Sequence, residues 1–111
     1  MQVRKGDIIF LRESAYPEKN GNIQGGVRPL LVVSNNTGNH FSNIVIVCPL
    51  TTSSKRSDLF THTRINHGNS TALCEQLFTI NQSDITRICD HISEEEMKRV
   101  NFCLNISLGL I

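Results

Sequence analysis

The chain contains no tryptophan and one tyrosine, Tyr16, so its core must be built almost wholly from aliphatic side chains. No apolar run approaches the roughly 20 residues of a membrane-spanning helix. The opening Met1-Gln2-Val3-Arg4-Lys5-Gly6-Asp7 also lacks the apolar stretch of a signal peptide. The expectation is a cytoplasmic protein with no membrane partner. Charge of one sign is missing as well: 11 basic residues stand against 10 acidic ones, a net charge of +1. That balance excludes a protein that coats nucleic acid by bulk electrostatics, and any nucleic-acid site must be a local patch. There is no C-x-x-C. Cys48, Cys74, Cys89 and Cys103 each lie among apolar neighbours and are expected as reduced core thiols, not as a disulfide framework or a zinc site. Also absent are G-x-S-x-G, H-E-x-x-H, the Walker loop and the dinucleotide fingerprint. No metal or cofactor is implied.

What is present suits one domain over residues 1–111. Hydrophobic residues make up 39% and charged residues 19%, enough apolar material for a core and too little charge for disorder. Ile8-Ile9-Phe10-Leu11 predicts a first strand within 7–12. A polar stretch from Glu13 to Gly26 follows, broken by Pro17, Asn20-Gly21 and Gly25-Gly26. Loops of such length in a small domain are commonly lids. Residues 27–35 predict a second strand and 35–39 a turn. Ile44-Val45-Ile46-Val47-Cys48-Pro49-Leu50 predicts a central strand covered on both faces. Further strands are expected over 59–65, over 71–80 with a bend near Glu75-Gln76, and over 86–92. Ser93-Glu94-Glu95-Glu96 is a capping box that opens a helix running to about Leu108, whose apolar face is Met97, Val100, Leu104 and Leu108. Strands first and a helix last give a small, mainly β fold: a strongly bent sheet or partly open barrel with a C-terminal helix on it.

The chain is organised around Gln24-Gly25-Gly26-Val27-Arg28-Pro29. Two glycines permit a tight or close-packed backbone, Pro29 extends the residue before it, and an apolar run follows. One guanidinium therefore sits where a loop meets the core. Two readings stand side by side: a structural ion pair with an acid, or an anion-binding group. Thr51-Thr52-Ser53-Ser54-Lys55-Arg56-Ser57 leaves the end of the central strand with several hydroxyls and two cations. It is either a solvated connector or a phosphate site. Tyr16 is expected to anchor the long loop, with base stacking as the sharper alternative. The histidines His40, His62, His67 and His91 are scattered, and only His40, if close to Arg28, would be placed to move protons. A guanidinium binds phosphate oxygens in bidentate fashion and a threonine hydroxyl can hold the same group. RNA supplies its own nucleophile, the 2′-OH, so Arg28 and Thr51 would have to contribute only positioning and charge stabilisation.

These residues, in order along nearly the whole chain, resemble the MazF/PemK-like toxin family of bacterial toxin–antitoxin systems. The resemblance is carried by Arg4-Lys5-Gly6-Asp7-Ile8, Gln24 to Pro29, Val33-Ser34-Asn35, Gly38-Asn39, Val47 to Lys55, Thr61-His62, Glu75-Gln76 and Asn105 to Leu108. It implies a CcdB/PemK-like (SH3-like) fold, a homodimer, and a sequence-specific, metal-independent endoribonuclease. Arg28 and Thr51 would be the catalytic pair. Gln24, Gly25, Gly26, Thr52, Ser53, Lys55 and Gln76 would line the path of single-stranded RNA. A loop over 13–24 would close on the substrate, and a cognate antitoxin would neutralise the enzyme. Cleavage would leave a 2′,3′-cyclic phosphate or 3′-phosphate and a 5′-hydroxyl. Ile23 departs from the pattern, since many relatives carry an acid there. The alternatives are a non-enzymatic toxin that binds a topoisomerase, as the CcdB branch does, and an inactive relative that only binds an antitoxin.

Overall fold

The computed structural model describes residues 2–53 and 59–111. Among these residues seven strands and two α-helices follow one another: β1 (Asp7–Leu11), β2 (Leu30–Val32), α1 (Asn36–Phe41), β3 (Ile44–Thr51), β4 (His62–Ile65), β5 (Ser70–Leu73), β6 (Phe78–Asn81), β7 (Ile85–His91) and α2 (Glu94–Ser107). All pairings are antiparallel, in the order β4-β5-β3-β2-β1-β7, with β6 also on β3. The sheet does not close. Its bend is helped by two register shifts between β1 and β7, at Ile8/Ile9 and Phe10/Leu11.

Alternation along the strands divides the core in two. On one face Ile8, Leu31, Cys48, Leu50, Ile65 and Ala72 pack with Val100 and Cys103 of α2. On the other Ile9, Leu11, Leu30, Val32, Val45, Val47, Ile80 and Ile85 pack together, edged by Tyr16 and Phe78. α2 begins at the predicted capping box: Ser93 Oγ accepts from the Glu96 amide and Glu96 Oε1 from the Ser93 amide.

Several local expectations are corrected. The second strand is only three residues long, because Pro29 has no N–H to give and the amides of Val33 and Ser34 both turn to the Ile46 carbonyl. The turn over 35–39 is instead the start of α1, capped by Asn35, whose Oδ1 accepts from Gly38 N at 2.8 Å. The strand over 59–65 begins only at His62. β3 is covered on both faces only in its second half, since Ile44 and Ile46 are 45% and 40% exposed. Leu108 also lies outside the helix's buried stripe and is exposed, its place taken by Cys103. Three cysteines are core thiols as expected, but Cys89 is exposed. Contact with Cys74 and burial push the Cys48 thiol well up, and burial pushes Cys103 to about 11.

The stretch expected as one bent strand over 71–80 is two strands, and the break has a geometric cause. Leu50 pairs with Ala72 and Val47 with Phe78, so three steps along β3 are matched by six along this segment. The surplus of three is taken up by a reversal over 74–77, closed by a bond from Gln76 N to the Leu73 carbonyl at 3.0 Å. That reversal carries Glu75 and Gln76 out beside the loop that precedes β2.

Candidate active site

Arg28 and Thr51 are brought together by register. Leu30 pairs with Pro49 and Leu31 with Cys48, and the bond from Leu50 N to the Pro29 carbonyl (3.0 Å) continues that pairing past the end of β2. The next step in the same register sets Arg28 opposite Thr51. Alternation puts both on the sheet face of Leu30, Val32 and Val47. Thr51 is 6% exposed, and its Oγ1 lies 3.0 Å from Ser53 Oγ while accepting from Ser53 N at 3.2 Å. Ser53 and Thr52 are exposed.

The half-buried Arg28 has no acidic partner among the described residues. Its Nε and Nη2 both donate to the carbonyl of Gly25, at 3.1 and 3.0 Å. The structural ion pair is thus replaced by a latch to a neutral oxygen that holds the guanidinium without cancelling its charge. Gly25 is buried so tightly that a Cβ would stand 2.2 Å from Lys19 N and 2.5 Å from the Pro17 carbonyl oxygen. Gly26 takes φ 76°, and its amide donates to the same Pro17 carbonyl at 3.0 Å. Each glycine has its own reason: close approach at Gly25, left-handed backbone at Gly26. Tyr16 is the loop anchor that was expected. Its hydroxyl accepts from Leu11 N (2.9 Å) and donates to the Arg28 carbonyl (2.8 Å).

Across from this loop, Gln76 spends both ends of its amide on loop backbone. Oε1 accepts from Gln24 N and Nε2 donates to the Asn22 carbonyl, each at 2.8 Å. Between loop and reversal lies a cavity of about 230 Å³ with Ile23, Gln24, Pro49, Glu75, Leu77 and Phe78 on its walls. Glu75 is tied to His62 Nε2 at 2.9 Å.

The family model of PemK-like, MazF-like toxins of type II toxin–antitoxin systems matches residues 4–108. The chain belongs to this toxin family. It is 38% identical to endoribonuclease EndoA of Bacillus subtilis, over all of this chain and 98% of that one. To endoribonuclease MazF of Staphylococcus saprophyticus it is 32% identical, over 97% and 92%. Among solved structures it is similar to a mycobacterial endoribonuclease in complex with its cognate antitoxin (TM-score 0.79, 20% identity, 98% and 97% covered). The same holds for MazF from Deinococcus radiodurans (TM-score 0.79, 18% identity, 98% of each). Both structures bear on the fold, which is the bent, open antiparallel sheet with a C-terminal helix that the resemblance implied. The two sequence relatives speak for the RNA-cleaving branch over the topoisomerase-binding alternative.

For this toxin the structure ties Gln76 to Gln24 and Arg28 to Gly25, and the β2–β3 register sets Arg28 opposite Thr51, which is bonded to Ser53. Lys55 and its neighbour Arg56 lie outside the described residues. His40 is not part of the cluster: it follows the far end of β2 in α1, where it meets Gln2 Nε2 at 3.4 Å and the ring of Phe41. Sequence reasoning did not foresee the Gly25 carbonyl as the holder of Arg28, nor Asn22 as a partner of Gln76. Backbone atoms carry both contacts, and only the adjacent G-G hinted at the first. No helix among the described residues is long and apolar enough to cross a membrane.

Proposed function

We propose that the protein is a sequence-specific endoribonuclease toxin that cuts single-stranded RNA with Arg28 and Thr51, needing no metal or cofactor. The observation that carries this reading is a guanidinium latched to a neutral carbonyl, with no acid beside it among the described residues, opposite a threonine hydroxyl. Such a group stabilises negative charge as it builds on a phosphate. The ribose 2′-oxygen attacks the adjacent phosphorus, the P–O5′ bond breaks, and the products are a 2′,3′-cyclic phosphate and a 5′-hydroxyl. Arg28 stabilises the charge on the non-bridging oxygens and Thr51 holds one of them. Gln24, Gly25, Gly26, Thr52, Ser53 and Lys55 contact the strand, with Gln76 bordering it from the reversal over 74–77. Growth arrest follows from loss of translatable RNA.

The chain acts as one domain over residues 1–111, in the cytoplasm, and pairs as a two-fold homodimer. Exposed Phe102, Leu108, Leu110 and Ile111 at the end of α2 support such an apolar interface. The cognate antitoxin is a small acidic protein with a segment that folds across the basic site and excludes RNA. The structurally similar mycobacterial endoribonuclease, solved in complex with its cognate antitoxin, supports a protein partner of this kind.

The deciding experiment uses a short RNA with a single 2′-deoxyribose on the 5′ side of the cut, with and without EDTA. Cleavage of the all-ribose strand in EDTA, its loss on the deoxy strand, and retained binding of both are expected. Cleavage of the deoxy strand at the same place and rate would make water the nucleophile and end this mechanism.

A further inference from the structure

We infer that Gln76 is a positioning residue for the reaction, acting on Arg28 through the loop and not through RNA. The inference rests on the proposed site. Its basis is a chain of contacts that runs without a gap. The reversal over 74–77 is closed by Gln76 N on the Leu73 carbonyl and tied by Glu75 to His62. From it the Gln76 amide reaches out and pairs with the loop as a strand neighbour would, accepting from Gln24 N and donating to the Asn22 carbonyl. The next residue along, Gly25, presents the carbonyl that both Nε and Nη2 of Arg28 grip. On the other side Pro17 holds Gly26 and Tyr16 holds the Arg28 carbonyl.

The loop is therefore pinned from two sides, and among the described residues its hydrogen bonds toward the reversal come from one side chain. Ile23, between the two bonded residues, is exposed and adds little to the hold. No shorter amide would span both bonds. A carboxylate would keep the acceptor for Gln24 and set a negative oxygen against the Asn22 carbonyl. With the amide removed, the Gly25 carbonyl keeps only the hold from the Pro17 side, and any shift it makes carries the guanidinium with it. Displacement of a reacting group by about 1 Å costs rates on the order of a hundredfold without a matching loss of affinity.

The test uses the full chain as wild type, Gln76→Met, Gln76→Glu and Arg28→Ala, each checked for native circular dichroism. Three quantities are read: exchange of the Gln24 amide in the free protein, RNA affinity at fixed salt, and single-turnover cleavage at saturating RNA. In Gln76→Met the Gln24 amide should exchange about tenfold faster or more, as expected for a lost hydrogen bond of ordinary strength. Its saturating rate should fall by about 10- to 100-fold while affinity changes less than about threefold and the cut sequence stays the same. Gln76→Glu should keep Gln24 protected and lose less rate. Weaker binding in Gln76→Met at an unchanged saturating rate, or a changed base preference at one position, would mean that Gln76 reads RNA directly. Unchanged exchange and rate would also overturn the inference. Failure of the site itself is distinguishable, because Arg28→Ala would then cleave normally while the Gln24 exchange result stood on its own.

Discussion

Replacing Gly25 by alanine while comparing it with the same change at Gly26 separates the two demands that the loop makes on its backbone. At Gly25 the new methyl would lie 2.2 Å from Lys19 N, 2.4 Å from the Glu18 carbonyl carbon and 2.5 Å from the Pro17 oxygen, all backbone atoms. Ordinary contact begins near 3.4 Å, so the two strands of the loop must part by roughly an ångström. That separation breaks the Gly26–Pro17 and Gln24–Gln76 bonds, each worth about 0.5–1.5 kcal/mol net. The loss is capped there, because the loop can detach without unfolding the sheet. A cost of about 1–3 kcal/mol is expected, which for a domain of this size lowers Tm by about 4 °C per kcal/mol. At Gly26 nothing lies within 4 Å of a built Cβ, and the cost is the left-handed backbone alone at φ 76°, about 1–2 kcal/mol. The two variants should thus melt at similar temperatures and differ in catalysis. Gly25→Ala displaces the carbonyl that grips Arg28 and should lose about a hundredfold in single-turnover cleavage, whereas Gly26→Ala should stay within about tenfold of wild type. Thermal melts by circular dichroism and cleavage of a saturating RNA give both numbers. A Gly25→Ala protein that cuts at the wild-type rate, or a Gly26→Ala protein that is the worse nuclease, would refute the reasoning.

Arg28→Ala should abolish cleavage in a folded protein, and Arg28→Lys should not restore it, since an ammonium cannot reproduce the two-nitrogen grip on the Gly25 carbonyl. Thr51→Ala should lose less than Arg28→Ala in the same assay, a neutral hydroxyl being the weaker donor. Ser93→Ala should cost about 1 kcal/mol in urea unfolding through loss of the α2 cap. Glu96 works against burial with bonds from the Asn66 and Ser93 amides that hold its carboxyl below the ordinary 4.5. Its stabilisation is complete above that value and is lost as pH falls through the lower folded one, a loss that Glu96→Gln should flatten in acid melts. The Cys103 thiol has the opposite sign: raised to about 11, it keeps its full stability below 9.0 and loses it as pH rises toward 11. A thiol reagent should titrate one cysteine in the native protein, Cys89, and four after denaturation.

The ends of α2, the strand β1 and the loop-to-strand junction at G-G-x-R-P were legible from the chain alone, because each depends on neighbours in sequence. A capping box closes over three residues, an apolar run declares its strand, and a proline fixes the residue beside it. Family resemblance added the CcdB/PemK-like identity of that fold and the catalytic roles of Arg28 and Thr51 as expectations. Other features belong to partners distant in sequence. β2 stops at Val32 because the amides of Val33 and Ser34 find the Ile46 carbonyl. The 71–80 segment splits because β3 offers it three steps where it has six. Cys103 is buried because it packs with Val100 into the sheet-side core, whereas Leu108 caps the helix outside that cluster and stays exposed. Local pattern says which residue types can be buried, and only the register and reach of the assembled sheet decide which of them are. The same holds at the site: an arginine beside two glycines could be read from the sequence. That a backbone carbonyl would hold it, next to a Gln24 amide bonded to Gln76 52 residues further on, required the chain to be folded.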